Sequence, residues 1–319
     1  MKLVIQIPCL NEDKYLPATI ADLPKSLNGI DEIEVLVIDD GSDDKTSETA
    51  MACGASKVIR FEKNKGLAKA FSAGLSVALN MGADIIVNTD ADNQYSASDI
   101  EKLIEPILAK RADIVIGARP VSEIKTFSLM KKLLQKIGSY IVRLFSSTTV
   151  KDAPSGFRAF SKEAAIKLNI FDNYSYTMET IIQAKTKGLV IESVDISVNP
   201  PVRESRLFKN TFIYIKRSLF TILRMFVVYR PFRFFAICGL ISLLIGLVLS
   251  GRFLYFYLAG LGRGHIQSLI FASVFLISGV QIGLIAVLAE LISINRKLLE
   301  DIQTRLRLAD LKKNSIDLK

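Results

Sequence analysis

The chain has no tryptophan, a single histidine and only three cysteines among 319 residues. Each scarcity excludes a chemistry. With His265 alone and outside any motif, neither histidine acid–base catalysis nor a His-rich metal site is available. Cys9, Cys53 and Cys238 lie far apart and show no metal-ligand spacing. They read as small buried apolar side chains in a reducing compartment, without a disulfide framework. No Gly-rich phosphate loop with a following Arg stands near the N-terminus, which disfavours a nucleotidyltransferase. Met1-Lys2-Leu3 enters a strand pattern directly, without a secretory leader. No internal repeat or low-complexity tract is evident.

What the chain has in excess is apolar residues and positive charge. Half of it is hydrophobic, its mean hydropathy is +0.33 and its formal charge is +9. That pairing suits a membrane protein with basic cytoplasmic surfaces, so the charge is assigned to lipid and no nucleic-acid partner is expected. Phe234 to Gly251 and Ile266 to Ala289 carry no charged residue. Both approach or exceed the roughly 20 residues needed to span a bilayer. The expected spans are 234–256 and 266–290. Lys and Arg crowd before the first and after the second, which puts both flanks in the cytoplasm and the short loop outside. Ahead of the first span, Arg203 to Arg233 interleaves basic residues with Phe208, Phe212, Leu219, Phe220, Leu223 and Phe226, with Glu204 as the only acid. This pattern predicts an interfacial amphipathic segment over 203–232. In the tail, 295–319, Leu298, Ile302, Leu306 and Ala309 continue a helical spacing that begins at Leu291 and Ile294. That face can pack on the domain or on a second copy, as in a homo-oligomer.

Residues 1–202 alternate strands with helices. Apolar runs at Leu3–Pro8, Ile33–Ile38, Val58–Phe61, Ile85–Val87, Ile114–Gly117 and Val190–Val198 read as strands, with a further one after the turn-rich Asp152–Phe160 stretch. Helical patterns fall between them. One is an amphipathic basic helix over Ser128–Ser146, and another, after the second strand, is expected to be capped by Ser42 or Asp43. The class is therefore α/β, with a mostly parallel sheet between two helical layers.

The fourth strand runs into Asp90-Ala91-Asp92. Residues two apart face one way on an extended chain, so both carboxylates can look out of the carboxyl end of the strand. Open α/β sheets bind ligands at that end. Two convergent carboxylates call for a cation, and a hard divalent ion, Mg2+ or Mn2+, bridging a diphosphate is the natural occupant. Arg119 lies just past the end of the fifth strand on the same rim, where a guanidinium can meet a phosphate bidentately.

Ile7-Pro8-Cys9-Leu10-Asn11-Glu12, Val37-Ile38-Asp39-Asp40-Gly41-Ser42, Asn64-Lys65-Gly66 and Asp90-Ala91-Asp92-Asn93-Gln94 occur in one order. Asp152-Ala153-Pro154-Ser155-Gly156-Phe157-Arg158 and Arg203-Glu204-Ser205-Arg206-Leu207 follow. Together they resemble the family 2 glycosyltransferases of the GT-A fold, in particular the polyprenyl-phosphate sugar synthases with two C-terminal spans. The resemblance implies sugar transfer from a nucleotide-sugar to a polyprenyl phosphate at the cell membrane. It implies that Pro8, Glu12, Asp39, Gly66 and Lys69 line the nucleotide site. Asp92 would be the direct metal ligand, with Asp90 behind it or at the sugar-nucleotide and Gln94 close to the metal. Ser155, Arg158, Arg203 and Arg206 would receive the acceptor phosphate. A processive polysaccharide synthase of the same family would carry a Q-x-x-R-W motif, which a chain without tryptophan cannot. A non-catalytic nucleotide-sugar binder would have no use for the paired carboxylates and the arginines.

Overall fold

The computed structural model describes residues 1–120, 150–170, 176–200, 223–224, 227–228, 230–260 and 266–317, with side chains as far as residue 311. The helix expected over Ser128–Ser146 and most of the basic stretch Arg203–Arg233 lie outside the described residues. The chain divides into two units, 1–218 with 304–319, and 219–303.

In the first unit the apolar runs form seven strands: β1 (Lys2–Cys9), β2 (Glu32–Asp39), β3 (Lys57–Arg60), β4 (Ile85–Asn88), β5 (Ile114–Ala118), β6 (Arg158–Ser161) and β7 (Ile191–Asp195). They make one sheet in the order β3-β2-β1-β4-β6-β5-β7. Alternate residues feed opposite faces, as the pleat requires. Val4, Leu36, Ile38, Ile86, Ile114 and Ile116 pack with α3 (Leu67–Asn80), α5 (Lys162–Lys167) and α6 (Tyr176–Thr186). Leu3, Ile5, Ile7, Val37, Ile85 and Val87 pack with α1 (Leu16–Asp22), α2 (Thr46–Ala52) and α4 (Ile100–Leu108). The architecture is the GT-A-like one that the motif order implied.

Three details depart from the sequence reading. β6 runs antiparallel between β4 and β5, so the sheet is mixed at its centre. This sets up the site, because an antiparallel strand enters the sheet from the rim where its parallel neighbours leave it. Arg158, the first residue of β6, sits in register with Asn88, the last of β4. Secondly, Pro8 does not end β1, which continues to Cys9 in parallel register with β2. Thirdly, neither Ser42 nor Asp43 caps α2. The Ser42 hydroxyl accepts from the Asn11 amide at 2.9 Å, and Asp44 accepts from the Thr46 amide at 3.0 Å at the helix start.

The second unit contains α7 (Pro231–Leu258) and most of α8 (Ile266–Asp317). At 1.5 Å per residue, α7 is about 40 Å long, more than a hydrocarbon core requires. Both helices are apolar and largely exposed. They meet through small residues. A Cβ on Gly239 would stand 3.1 Å from the Gly279 carbonyl oxygen, and the Ser242 hydroxyl donates to the Phe275 carbonyl at 2.8 Å. Gly239, Ser242 and Gly246 are spaced i, i+3, i+7, and Ala272, Gly279 and Ala286 recur every seven residues, so one seam of each helix allows close backbone approach. α8 is continuous through 317, and its residues from Thr304 on belong to the first unit. There Arg307 donates to the Leu168 carbonyl at 2.7 Å and to the Ile166 carbonyl at 3.4 Å, satisfying the end of α5.

Candidate active site

The carboxyl ends of β1, β2 and β4 bring acids together. Burial and the negative charges of Glu12, Asp39, Asp44 and Asp90 push the Cys9 thiol, at the end of β1, well above the usual thiol range. Glu12, Asp39 and Asp90 stand at or just beyond the carboxyl ends of β1, β2 and β4, on one rim of the sheet.

Asp90 lies half-buried just beyond β4. Burial and the charge of Asp92 push its pKa up to about 6, against the opposing pull of Arg119 and Tyr95. Asp92 accepts from the Gln94 amide at 3.3 Å, closing a turn in which Asn93 takes a left-handed φ of 51°. That turn is pinned from both sides. Thr19 of α1 donates to the Ala91 carbonyl at 2.8 Å, and Asn93 donates to Asp22 at 2.8 Å. Beyond β7, the Asn199 amide nitrogens donate to the Gln94 and Asn93 carbonyls at 2.9 and 3.0 Å.

The electrostatics fit a divalent cation. Two carboxylates whose proximity raises the pKa of one would be relieved by positive charge between them. Among the described residues no group of three or more His, Cys, Asp or Glu side chains is arranged to hold a metal. Two carboxylates with an amide such as Gln94 leave positions for diphosphate oxygens and water, the pattern Mg2+ and Mn2+ favour.

Arg119 follows β5 and makes a bidentate ion pair with Asp152, through Nε at 2.7 Å and Nη2 at 3.2 Å. Burial opposes its charge, but Tyr95, Asp152 and Asp90 outweigh burial and raise its pKa. The guanidinium is fixed and cationic, and much of its fork is already engaged by protein.

Several expected site residues are engaged by the protein itself. Arg158 does not face a phosphate. It is fully buried, and its guanidinium donates to the carbonyls of Ser155 at 2.7 Å, Ala153 at 2.6 Å and Thr177 at 2.7 Å, and to the Thr180 hydroxyl at 2.7 Å. Its pKa is pushed down by burial to about 10. Entering an interior strand, it points into the protein and buckles the 152–158 turn to α6. Ser155 is also fully buried, and among the described residues its hydroxyl has no hydrogen-bond partner. Asp39 is buried as well. It accepts from the Ser42 amide at 2.8 Å and the Ser47 hydroxyl, with Arg60 at 3.8 Å, so its oxygens organise the β2–α2 turn. Its neighbour Asp40 accepts from the Lys65 and Gly66 amides at 2.8 and 2.9 Å and so sets the loop before α3. Gly66 has φ +93°, a conformation that side chains resist. Lys69 is exposed on α3, Pro8 is buried within β1, and Glu12 is buried after it. Arg203 and Arg206 lie outside the described residues.

A further set was missed. Gln6 donates to Asn88 at 2.9 Å, and Asn88 donates to the Gly156 carbonyl at 2.8 Å and the Tyr176 hydroxyl at 2.9 Å. Tyr176 stacks on Phe71 with centroids 3.8 Å apart, and Tyr95 stacks on Phe157 at 4.9 Å. A signal existed: Gln6 and Asn88 are amides within otherwise apolar strands, and such groups are retained in a core only when bonded.

The profile of Glycosyl transferase family 2 matches residues 4–168. The UDP-N-acetylglucosamine–dolichyl-phosphate N-acetylglucosaminyltransferase of Methanococcus voltae is 33% identical over 211 residues, covering 60% of this chain and 82% of that one. The undecaprenyl-phosphate mannosyltransferase of Micrococcus luteus is 28% identical over 212 residues, 64% and 85% of the two chains. Among solved structures, glucosyl-3-phosphoglycerate synthase of Mycobacterium tuberculosis, in complex with Mn2+, UDP and glucosyl-3-phosphoglycerate, superposes with a TM-score of 0.54 at 19% identity, covering 71% of this chain and 78% of that one. That likeness speaks for the fold. The chain belongs to glycosyl transferase family 2, and it is a glycosyltransferase whose GT-A-like sheet is followed by two apolar helices long enough to cross a membrane.

Proposed function

We propose that the enzyme moves a single sugar from a UDP- or GDP-linked donor to a polyprenyl phosphate, undecaprenyl or dolichyl, on the cytoplasmic face of the cell membrane. The observation that carries this reading is the Asp90/Asp92 pair beside Arg119 on the rim of the sheet, in a chain that also holds a lipid-grade hairpin. The names of the Methanococcus and Micrococcus relatives support the acceptor class, and the UDP and Mn2+ in the mycobacterial complex support a nucleotide-sugar donor.

Asp92, with Gln94 and Asp90, would hold Mg2+ or Mn2+ against the donor diphosphate; the bound ion supplies charge that stabilises the leaving group. The turn fixed by Thr19, Asp22 and Asn199 keeps Asp92 in place before the donor arrives. Arg119, oriented by Asp152, adds positive charge near the same oxygens. No general base is assigned. A phosphate monoester has a second pKa of about 6 and is already nucleophilic near neutral pH. Its oxygen attacks the anomeric carbon as the bond to the diphosphate breaks, a single displacement that inverts configuration. Arg203 and Arg206 are assigned to the acceptor phosphate from sequence alone. Arg158 is withdrawn from that role, since its donors are spent on carbonyls.

The test supplies radiolabelled nucleotide-sugars to membranes carrying the enzyme, with polyprenyl phosphate and Mn2+. Label entering a chloroform-soluble lipid, and stopping with EDTA, is expected. Label entering an insoluble polymer would point to a processive synthase, and no release of nucleotide from any donor would point to a binding protein.

A further inference from the structure

The loop before α3 is braced by a residue from another element. Asp40, buried just past the end of β2, accepts from the Lys65 amide through Oδ1 at 2.8 Å and from the Gly66 amide through Oδ2 at 2.9 Å. Gly66 is the residue that opens α3, and it has no side chain with which to cap the helix. Further bonds hold the same two segments together. Arg60 donates to the Ser42 carbonyl at 2.8 Å, and the Phe61 amide donates to the Asp39 carbonyl at 2.9 Å. Gly41, with φ +77°, lets the two backbones touch: a Cβ there would lie 2.7 Å from the Lys63 carbonyl carbon and 2.8 Å from the Asn64 nitrogen. The other side of the loop is open, since Lys63, Asn64 and Lys65 are exposed.

This brace decides which part of a donor the loop can take. A helix N-terminus attracts phosphate because its amides and its dipole favour negative charge. Here two amides at the start of α3 are already engaged by a carboxyl group, and the charge of that group repels a second anion. The strand order β3-β2-β1-β4 puts β2 two places from β4, about 10 Å at roughly 4.8 Å per strand. A diphosphate held at the Asp90/Asp92 turn is separated from the loop by about that distance, which leaves room for a ribose and a base. We propose that Asp40 is a positioning residue for the donor: it holds the 63–66 loop as a wall for the nucleoside and keeps the diphosphate off the N-terminus of α3. This rests on the reading of the rim as a nucleotide-sugar site.

Asp40→Asn keeps the shape, replaces one acceptor by an amino group that faces an N–H, and removes the charge. The probes are UDP, GDP and the corresponding monophosphates, titrated calorimetrically into the full-length enzyme in neutral detergent with saturating Mn2+. For the base that the parent binds, Asp40→Asn is expected to raise the Kd of monophosphate and diphosphate alike, by at least about tenfold, because a loosened wall touches only the nucleoside. The donor KM should rise in step, with kcat lowered by less than about threefold and a melting midpoint within about 3 °C of the parent. Gly41→Ala, which presses on the loop backbone beside the brace, is expected to give the same pattern. Tighter diphosphate binding by Asp40→Asn would overturn the proposal, because the diphosphate would then lie where the carboxylate had repelled it. A loss confined to the diphosphate, or an unchanged affinity, would also overturn it. So would failure of both variants to melt cooperatively, since Asp40 would then hold the fold rather than the loop. A parent that binds neither UDP nor GDP would remove the donor reading itself, and the role of Asp40 with it.

Discussion

The two units of the molecule bury opposite things. The catalytic unit takes Arg158, Gln6, Asn88 and Thr180 out of solvent and surrounds them with partners; Arg158 has no exposed surface at all. The helical unit leaves Val248 70% exposed and Leu284 62% exposed, while burying Gly239, Ser242, Gly246, Ala272 and Ala286. A core assembled in water gains by hiding apolar surface and bonds most of the polar groups it hides. A helix pair in lipid gains nothing by hiding leucine, so contact goes to the residues that let backbones approach. The contrast assigns a solvent to each unit, and it can be pressed at named positions.

The largest effect is expected in the catalytic unit. Arg158→Ala removes the donor shared by three buried carbonyls and leaves a cavity, a loss of about 4 kcal/mol or more. The catalytic unit should fail to melt cooperatively in differential scanning calorimetry. A parent-like transition would mean that the buckle carries little of the fold.

Next comes the seam of the helical unit. A side chain at Gly279 would stand 2.6 Å from Leu243 Cγ and 3.0 Å from its backbone nitrogen. Gly279→Leu should force the helices apart at a cost of about 2 kcal/mol, read as reduced disulfide cross-linking between Ser242→Cys and Phe275→Cys in detergent. Undiminished cross-linking would show that close approach is not what holds the pair.

Sidedness sharpens the contrast without changing stability. A cysteine at Gly262 should react with an impermeant maleimide added to intact cells, and one at Asn314 should not. The reverse pattern would invert the assigned topology. The smallest effect belongs to the lipid-facing surface: Val248→Ala should shift stability in detergent by less than about 0.5 kcal/mol, and a larger loss would reveal a packing partner for that face.

The sequence was legible where one solvent and one period acted alone. Apolar runs marked β1, β2 and β4, and charge-free runs marked α7 and the first half of α8, because burial or lipid exposure dictates composition directly. It was opaque where a side chain serves the architecture through long-range pairing. Arg158 reads as a phosphate ligand because Ser155-Gly156-Phe157-Arg158 is a basic turn. Only the antiparallel entry of β6, a contact across 70 residues of chain, turns that guanidinium inward. The bonds that Asp39 accepts from Ser42 and Ser47 in the β2–α2 turn were likewise not visible in the sequence. The Asp90/Asp92 pair was visible as a pair, whereas Tyr95 was not, since its partner Gly156 lies 61 residues away.

The account stands most directly on Asp92. Lipid labelling from the nucleotide-sugar should be compared between the parent and Asp92→Ala, in the same membranes with saturating Mn2+. The expected result is a fall of at least about a hundredfold with a melting midpoint within about 2 °C of the parent, since Asp92 lies in a turn beyond β4 and outside either core cluster. Labelling by Asp92→Ala at the parental rate would contradict the assignment of the rim carboxylates to sugar transfer.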